Sequence, residues 1–304
     1  MNTMFALQDL QARRLLSVVV SGNGLIGYRF CDTLLQAYEA LDQALQQSMA
    51  RHIRATAHSC TTLIERQTLE KIGFFNKLPC IPMTASPHAC SDHQHKAGDG
   101  DWVLSPSTCY HTFAHLAGST ERWDLKCFTA LGHCHRYEPV LDEATRLGSF
   151  TMREFVLLGS QAQVEHMCQV LFDSGVELIK RLVPSTFVER ASDVFYGETA
   201  EVTRKVQLAM GVKLEVLIPW PERKVSVGSR NLHRDLFTQA FKIGPQAPEP
   251  LMHSACVAFG MERLLLSLLA QIGEPEALLA HLQDVLGDQP ASRHARESEH
   301  AALV

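Results

Sequence analysis

From about Tyr28 to Ala57 the chain carries neither glycine nor proline. Apolar side chains return there at helical spacing, at Leu34, Leu35, Tyr38, Leu41, Leu45 and Met49, which predicts one long helix. Ahead of it, an apolar run from Leu15 to Val20 leads into Gly22-x-Gly24-x-x-Gly27. Residues 102–160 change period: WVLS, LKCFTALGHCHRYE and SFTMREFVLLG read as strands, and a helix is predicted over Gln161–Leu182. KLEVLIPW, KVSVGS and SACVAF predict three more strands, the last followed after Gly260 by a strong helix, MERLLLSLLAQIG. Strands come in neighbouring pairs with helices between the pairs. That is the pattern of an antiparallel sheet in an α+β fold rather than a doubly wound parallel one.

The three glycines of GNGLIGYR invite a dinucleotide-binding reading. Such a fold needs a second strand, ending in Asp or Glu about 20 residues further on to hold a ribose. Here ALQQSMARHI continues the helical pattern through that position with no suitable carboxylate. The glycines therefore read as a turn between a strand and a helix. A Walker A sequence is absent as well.

Composition narrows the class. The chain has 304 residues, 46% hydrophobic and 20% charged, which is globular composition with ample material for a core. No apolar run is long enough to span a bilayer, and the N-terminus lacks the basic region and cleavage site of a secretory signal. A net charge of −5 argues against a broad nucleic-acid surface. Nine scattered cysteines without a CxxC suggest a reducing, cytoplasmic setting, so any metal site must be assembled from distant residues. His88, Cys90, His93 and His95 fall in a polar stretch, 85–101, that reads as a solvated loop more readily than as a metal site. We expect one domain over 1–285, with a helical and loop part to residue 100, a catalytic sheet over 102–270, and a polar C-terminal tail from 286.

The chemistry concentrates in two stretches. In HCHRYEPVLDEATRLGSFTMREFVLL (133–158), a strand places Arg136 and Glu138 on one face, a loop carries Arg146 and Leu147, and a second strand puts Phe150, Met152 and Glu154 on one face. The arginines could take phosphate oxygens, Phe150 could stack on adenine, and Glu138 could accept from its exocyclic amine. A hairpin with cross-strand ion pairs on a solvated face would look the same. In HSACVAFGMERLLLSLL, Arg263 sits in the first turn of a helix, where anions are favoured.

Together these stretches resemble motifs 2 and 3 of class II aminoacyl-tRNA synthetases. HRYE matches the (F/H)RxE opening of motif 2, RLGSF its RxxxF close, and FGMERL the arginine-bearing core of motif 3. Ala258 and Phe259 stand where the synthetases carry more glycine. Over much of 102–270 the order of elements is similar to a seryl-tRNA synthetase core. More narrowly the chain resembles the amino acid:[carrier protein] ligases, truncated relatives that load a small amino acid onto a phosphopantetheine thiol.

That resemblance implies a class II catalytic core and a set of roles. Arg136 and Arg263 would be catalytic. Arg136, Glu138, Arg146, Leu147, Phe150, Ser226, Ser229, Asn231 and Arg263 would bind ATP with Mg2+. One zinc ion would be held by Cys109, Glu154 and Cys256, with its open position taken by the substrate amino group. Without the resemblance, Cys109 and Cys256 would read as small buried hydrophobes. The pattern departs at Lys224, where the synthetases carry an acid. The expected partners are ATP, a small amino acid such as glycine or alanine, and a carrier protein, met by a basic patch around RKVSVGSRNLHR. No tRNA and no membrane are expected, and a homodimer is implied. A non-catalytic synthetase paralogue and a tRNA-aminoacylating enzyme are the alternatives.

Overall fold

The structure is a computed structural model describing residues 3–21, 24–86, 101–137, 146–193, 195, 200–220, 223–246 and 249–287. Helix α1 (Thr3–Ala12) leads into β1 (Leu16–Ser21) and β2 (Gly24–Phe30), then α2 (Asp32–Ala50) and β3 (Ala55–Ala57). A smaller part follows: β4 (Leu63–Glu65), α3 (Arg66–Lys71), α4 (Phe74–Lys77), β5 (Met83–Ala85) and β6 (Trp102–Leu104). Next come α5 (Cys109–His115), the long pair β7 (Leu125–His135) and β8 (Ser149–Gly159), α6 (Gln161–Leu182), β9 (Phe187–Arg190) and α7 (Ala200–Met210). The chain continues through β10 (Lys213–Pro219), β11 (Lys224–Arg234), α8 (Leu236–Ala240), β12 (His253–Gly260), α9 (Met261–Ile272) and α10 (Pro275–Gly287).

Seven strands form one sheet in the order β3-β7-β8-β12-β11-β10-β9. Every pairing in it is antiparallel except β3 with β7. The expected α+β architecture is therefore observed, and α6 occupies the residues its periodicity predicts. Two expectations need correction. The helix predicted over 28–57 is confined to Asp32–Ala50. Upstream, Tyr28 and Phe30 belong to β2, which pairs with β1, and the chain then turns sharply at Asp32, whose φ is 46°. Downstream, Ala55–Ala57 join the sheet beside β7. Tertiary pairing overrides local periodicity at both ends. Accordingly Gly24 and Gly27 of GNGLIGYR lie in β2, the second strand of a hairpin, not between a strand and a helix; Gly22 lies outside the described residues. Gly27 is needed there because a Cβ would meet the Ser149 carbonyl oxygen at 2.9 Å.

The two sheet faces do different work because side chains alternate along each strand. Phe155 and Leu157 of β8, with Ala255, Val257 and Phe259 of β12, pack into the main core beneath α2, α6, α9 and α10. Their neighbours Val156, Leu158 and Cys256 face a second, smaller core built with Phe113 of α5 and Phe237 of α8. Helix α2 is fixed to the back of the sheet by a buried ion pair: Arg153 Nε and Nη2 each donate to the Asp42 carboxylate at 2.6 Å. The bidentate geometry satisfies both charges at a site largely withdrawn from water. No helix among the described residues is long and apolar enough to cross a membrane.

Removing one partner of this pair leaves the other charge buried and unpaired. Asp42→Ala should therefore cost about 3–5 kcal/mol, read from urea unfolding. Adding Arg153→Leu to that variant should recover part of the loss, since no charge then remains in the core.

Candidate active site

The site lies on the face of the sheet opposite α2 and α6. Along β8 that face carries Phe150, Met152 and Glu154, and the ladder sets Ala130, Gly132 and Cys134 of β7 beside them. On the other side stand Ala258 and Gly260 of β12, then Cys256 one step further along. Ser229 and Asn231 of β11 sit opposite Ala258 and Cys256. From Phe150 to the level of Cys256 is six residues of strand, roughly 20 Å.

At the far end, a Cys109 sulfur, a Glu154 oxygen and the Cys256 sulfur lie within 4.8 Å of one another, all buried. The Glu154 carboxylate accepts from Ser107 Oγ at 3.0 Å and from the backbone N–H groups of Thr108 and Cys109 at 3.1 and 3.0 Å. Those amides open α5 and would otherwise lack partners. Three neutral donors use three of about four acceptor positions on the carboxylate and leave one for a cation. Burial pushes the Glu154 carboxyl up to about 7, aided by the Cys256 sulfur, while the hydrogen bonds at Ser107, Cys109 and Thr108 oppose the rise. Of the two thiols, Cys256 is held well below the usual thiol value by its hydrogen bond with Cys109 and by donors from His233 and Asn231. That same bond, with burial, pushes Cys109 up. Two cysteines and a carboxylate, dry and converging, form a donor set that fits a zinc ion with one position open.

Gly132 makes this convergence possible. A Cβ there would meet Thr108 Oγ1 at 2.7 Å and Cγ2 at 2.9 Å, so only glycine lets the first turn of α5 settle against the sheet.

At the near end, Arg136 follows β7, with its Nε donating to the Pro106 carbonyl at 2.9 Å and its guanidinium 5.1 Å from the centre of the Phe150 ring. That stack occupies one face of the ring that the sequence assigns to adenine. Leu147 is buried and Arg146 is exposed at the approach to β8. Arg263, in the first turn of α9, donates from Nη1 to the Ser226 carbonyl at 3.0 Å. Ser229 and Asn231 are bonded to each other, Nδ2 to Oγ at 3.0 Å, and Asn231 Nδ2 also approaches Cys256 Sγ at 3.6 Å. Asn231 therefore stands at the cysteine end. Glu138 and the His88, Cys90, His93 and His95 group lie outside the described residues.

Several site residues were not legible in the sequence. Glu262 accepts from Thr151 N at 2.7 Å and Thr151 Oγ1 at 2.8 Å, tying α9 to β8 beside Arg263. Its place directly before Arg263 was the available signal. His233 was missed because Gly228 and the polar residues after it suggested that the strand stops, whereas β11 runs to Arg234. The basic stretch RKVSVGSRNLHR is largely committed within the fold. Arg230 is buried, donating to Gln169 Oε1 at 2.5 Å and the Gly211 carbonyl at 2.8 Å, and Lys224 pairs with Glu189.

No family model matches the chain. Among curated proteins it is similar to amino acid–[acyl-carrier-protein] ligase 2 of Bradyrhizobium diazoefficiens, 32% identical over 255 residues, covering 77% of this chain and 75% of that protein. Ligase 1 of the same organism is 29% identical over 275 residues, 83% of each. Among solved structures, M. kandleri SerRS in complex with A. aeolicus tRNASec superposes with a TM-score of 0.74 at 16% identity, over 94% of this chain. The prolyl-tRNA synthetase of Cryptosporidium parvum, complexed with halofuginone and AMPPNP, gives 0.66 at 13% identity over 90%. This chain spans 61% and 52% of those two synthetase chains. At such identities they show the fold alone, the class II aminoacyl-tRNA-synthetase-like core.

Crowding at Thr108 yields a direct test of the site's architecture. Gly132→Ala should destabilise chelator-treated protein by about 1–3 kcal/mol, measured by urea unfolding. Gly287→Ala, whose Cβ would meet nothing within 4 Å, should cause no such loss.

Proposed function

Because this chain belongs to the amino acid–[acyl-carrier-protein] ligase family, we propose that it activates a small amino acid with ATP and transfers it to the phosphopantetheine thiol of a carrier protein. The observation that carries this reading is the layout of one sheet face, with a metal-donor cluster at one end and Phe150 with Arg136 at the other. An extended ligand laid along β8 would have its amino group at the cysteines and its base near the aromatic ring.

Cys109, Glu154 and Cys256 would hold a zinc ion, which would supply a Lewis-acidic site for the substrate's amino group. The rest is done by the chain's own residues. One carboxylate oxygen of the amino acid attacks the α-phosphorus of ATP, pyrophosphate leaves, and an aminoacyl-adenylate forms. Arg136, its plane set by Pro106 and Phe150, faces the charge that develops on the α-phosphate, while Arg146 and Arg263 hold the outer phosphates, with Mg2+ as their counter-ion. Leu147, Ser226 and Ser229 complete the nucleotide side. The carrier's sulfur then attacks the acyl carbon and AMP leaves, giving a thioester. No protein nucleophile is needed; positioning and electrostatics supply the rate. A small side chain, glycine or alanine, is part of this proposal; Phe113 and Phe237 belong to the buried cluster that also holds Cys109 and Cys256.

For the acceptor, α7 supports the carrier reading better than the stretch around Lys224. None of its described residues is buried, and Val202, Val206 and Met210 form an exposed apolar stripe at intervals of four. Gln207 anchors the helix by exchanging hydrogen bonds with Asp193 at 2.7 and 2.9 Å. Arg204 and Lys205 flank the stripe. An apolar stripe with basic neighbours suits an acidic carrier helix. Exposed Val18 and Val20 on β1 supply apolar surface for the homodimer we also propose.

Amino-acid-dependent ATP–pyrophosphate exchange on zinc-replete protein tests the reading. We expect exchange with one or two small amino acids, its loss on chelation, and a fall of about 100- to 1,000-fold for Arg136→Ala or Arg263→Ala. Holo-carrier rather than tRNA should accept the aminoacyl group, and Val206→Asp should reduce transfer while leaving exchange intact. Exchange with none of the twenty amino acids would make the chain a non-catalytic paralogue, and loading of tRNA would make it a synthetase.

A further inference from the structure

Strand β11 contains an irregularity beside the cysteine cluster. Its ladder with β12 runs regularly to Leu232 opposite Ala255, then skips to Arg234 opposite Ser254, so His233 is the extra residue of a β-bulge. Arg234 closes the bulge with a φ of 56°, in the left-handed region that a side-chain-bearing residue rarely adopts. Bulges re-aim side chains, and local strain of this kind persists where the surrounding structure enforces it. Here the re-aimed group is the His233 imidazole, whose Nε2 lies 3.5 Å from Cys256 Sγ. Its ring is wedged against Phe237 and Phe113, with centroids 4.6 and 5.9 Å away.

The tautomer follows from what surrounds the ring. Nδ1 is buried with no hydrogen-bond partner among the described residues. A buried N–H without an acceptor is the rarer and costlier orphan, so the neutral ring carries its hydrogen on Nε2 and donates it to the sulfur. Asn231 Nδ2, two residues earlier, donates to the same sulfur at 3.6 Å. Cys109 Sγ instead lies 3.4 Å from Ser107 Oγ, whose own hydrogen goes to Glu154. The two sulfurs of the cluster are thus held differently: Cys256 takes two N–H donors from one strand.

We propose that His233 and Asn231 are positioning residues for the metal centre, fixing the Cys256 sulfur as a ligand through paired N–H···S hydrogen bonds. The bulge at His233 exists to deliver the first of them. This inference rests on the reading of Cys109, Glu154 and Cys256 as a zinc site. It concerns these two side chains, which donate to the ligand and do not themselves bind the ion. Donors of this kind orient a ligand and tune its electron density, and their loss typically weakens metal binding by about 10- to 100-fold.

The test is made on the full-length protein without substrate. Zinc affinity is measured by competition with a chromophoric chelator, and Co2+ is titrated in to read the thiolate-to-cobalt charge-transfer bands. His233→Phe keeps the ring stack but removes the N–H, Asn231→Leu removes the other donor, and His233→Gln restores an amide N–H at a similar reach. Unfolding midpoints confirm that the variants being compared are folded; Asn231→Leu, which leaves the aromatic rings of the wedge unaltered, provides an independent arm should His233→Phe fail to fold. The proposal expects one equivalent of metal in the parent, roughly 10- to 100-fold weaker binding and shifted charge-transfer bands in His233→Phe and Asn231→Leu, and recovery in His233→Gln. Parent-like affinity and bands in folded His233→Phe and Asn231→Leu overturn the proposal while leaving the zinc reading standing. Failure of the parent itself to bind either metal overturns both.

Discussion

The Glu154 carboxylate stands on a central strand of the sheet with neutral donors from Ser107, Thr108 and Cys109 around it. A buried carboxylate is expensive unless its oxygens are fully bonded. The first turn of α5 has the complementary need, because its opening amides have no partners within the helix. Each satisfies the other, and the result fixes Cys109 over the sheet where Cys256 rises from the adjacent strand. Gly132 is the steric condition for this contact, since any side chain there would strike Thr108. The remaining acceptor position on the carboxylate and the two sulfurs then face one point. Holding the first turn of a helix and assembling the candidate cation site are a single arrangement here.

That arrangement is rigid because its supports lie on the opposite face. Phe155, Leu157, Val257 and Phe259 alternate with the site residues and bury themselves under α2, α6, α9 and α10. Two charged contacts reinforce the packing. The Asp42–Arg153 pair fastens α2 to the back of β8, and Glu262 fastens the start of α9 to Thr151 on the same strand. Glu262 is buried, and that burial raises its carboxyl against the pull of the Thr151 hydrogen bonds. Through it Arg263 is placed relative to β8. Both ends of the sheet face, the cysteine cluster and the Arg136–Phe150 stack, are therefore referenced to one strand.

The two ends of this sheet face differ in side-chain chemistry. At one end the surroundings are aromatic and aliphatic, with His233, Phe237 and Phe113 in mutual contact. Such walls exclude water and strengthen electrostatic attraction at the donor cluster. At the other, Arg136 lies over Phe150 and its Nε is already engaged by a backbone carbonyl. The guanidinium is thereby held in one plane, with the aromatic ring beneath it.

By itself the sequence determined the long elements and the motif-bearing strands. Periodicity and apolar runs located α6, β7, β8, β10, β12 and α9, because burial on one face or on both marks the apolar side chains along each element. It identified Cys109, Glu154 and Cys256 only through resemblance, since 45 residues separate the first two and 102 separate the last two, and no local pattern links them. Tertiary structure decided what depends on neighbours. Strand pairing cut the predicted 28–57 helix short at both ends. Ladder register set Asn231 opposite Cys256. A bulge, which has no signature beyond one skipped pairing, aimed His233 at the same sulfur. Contacts between distant strands are set by the geometry of the assembled sheet, and a linear pattern records only which face each residue turns towards it.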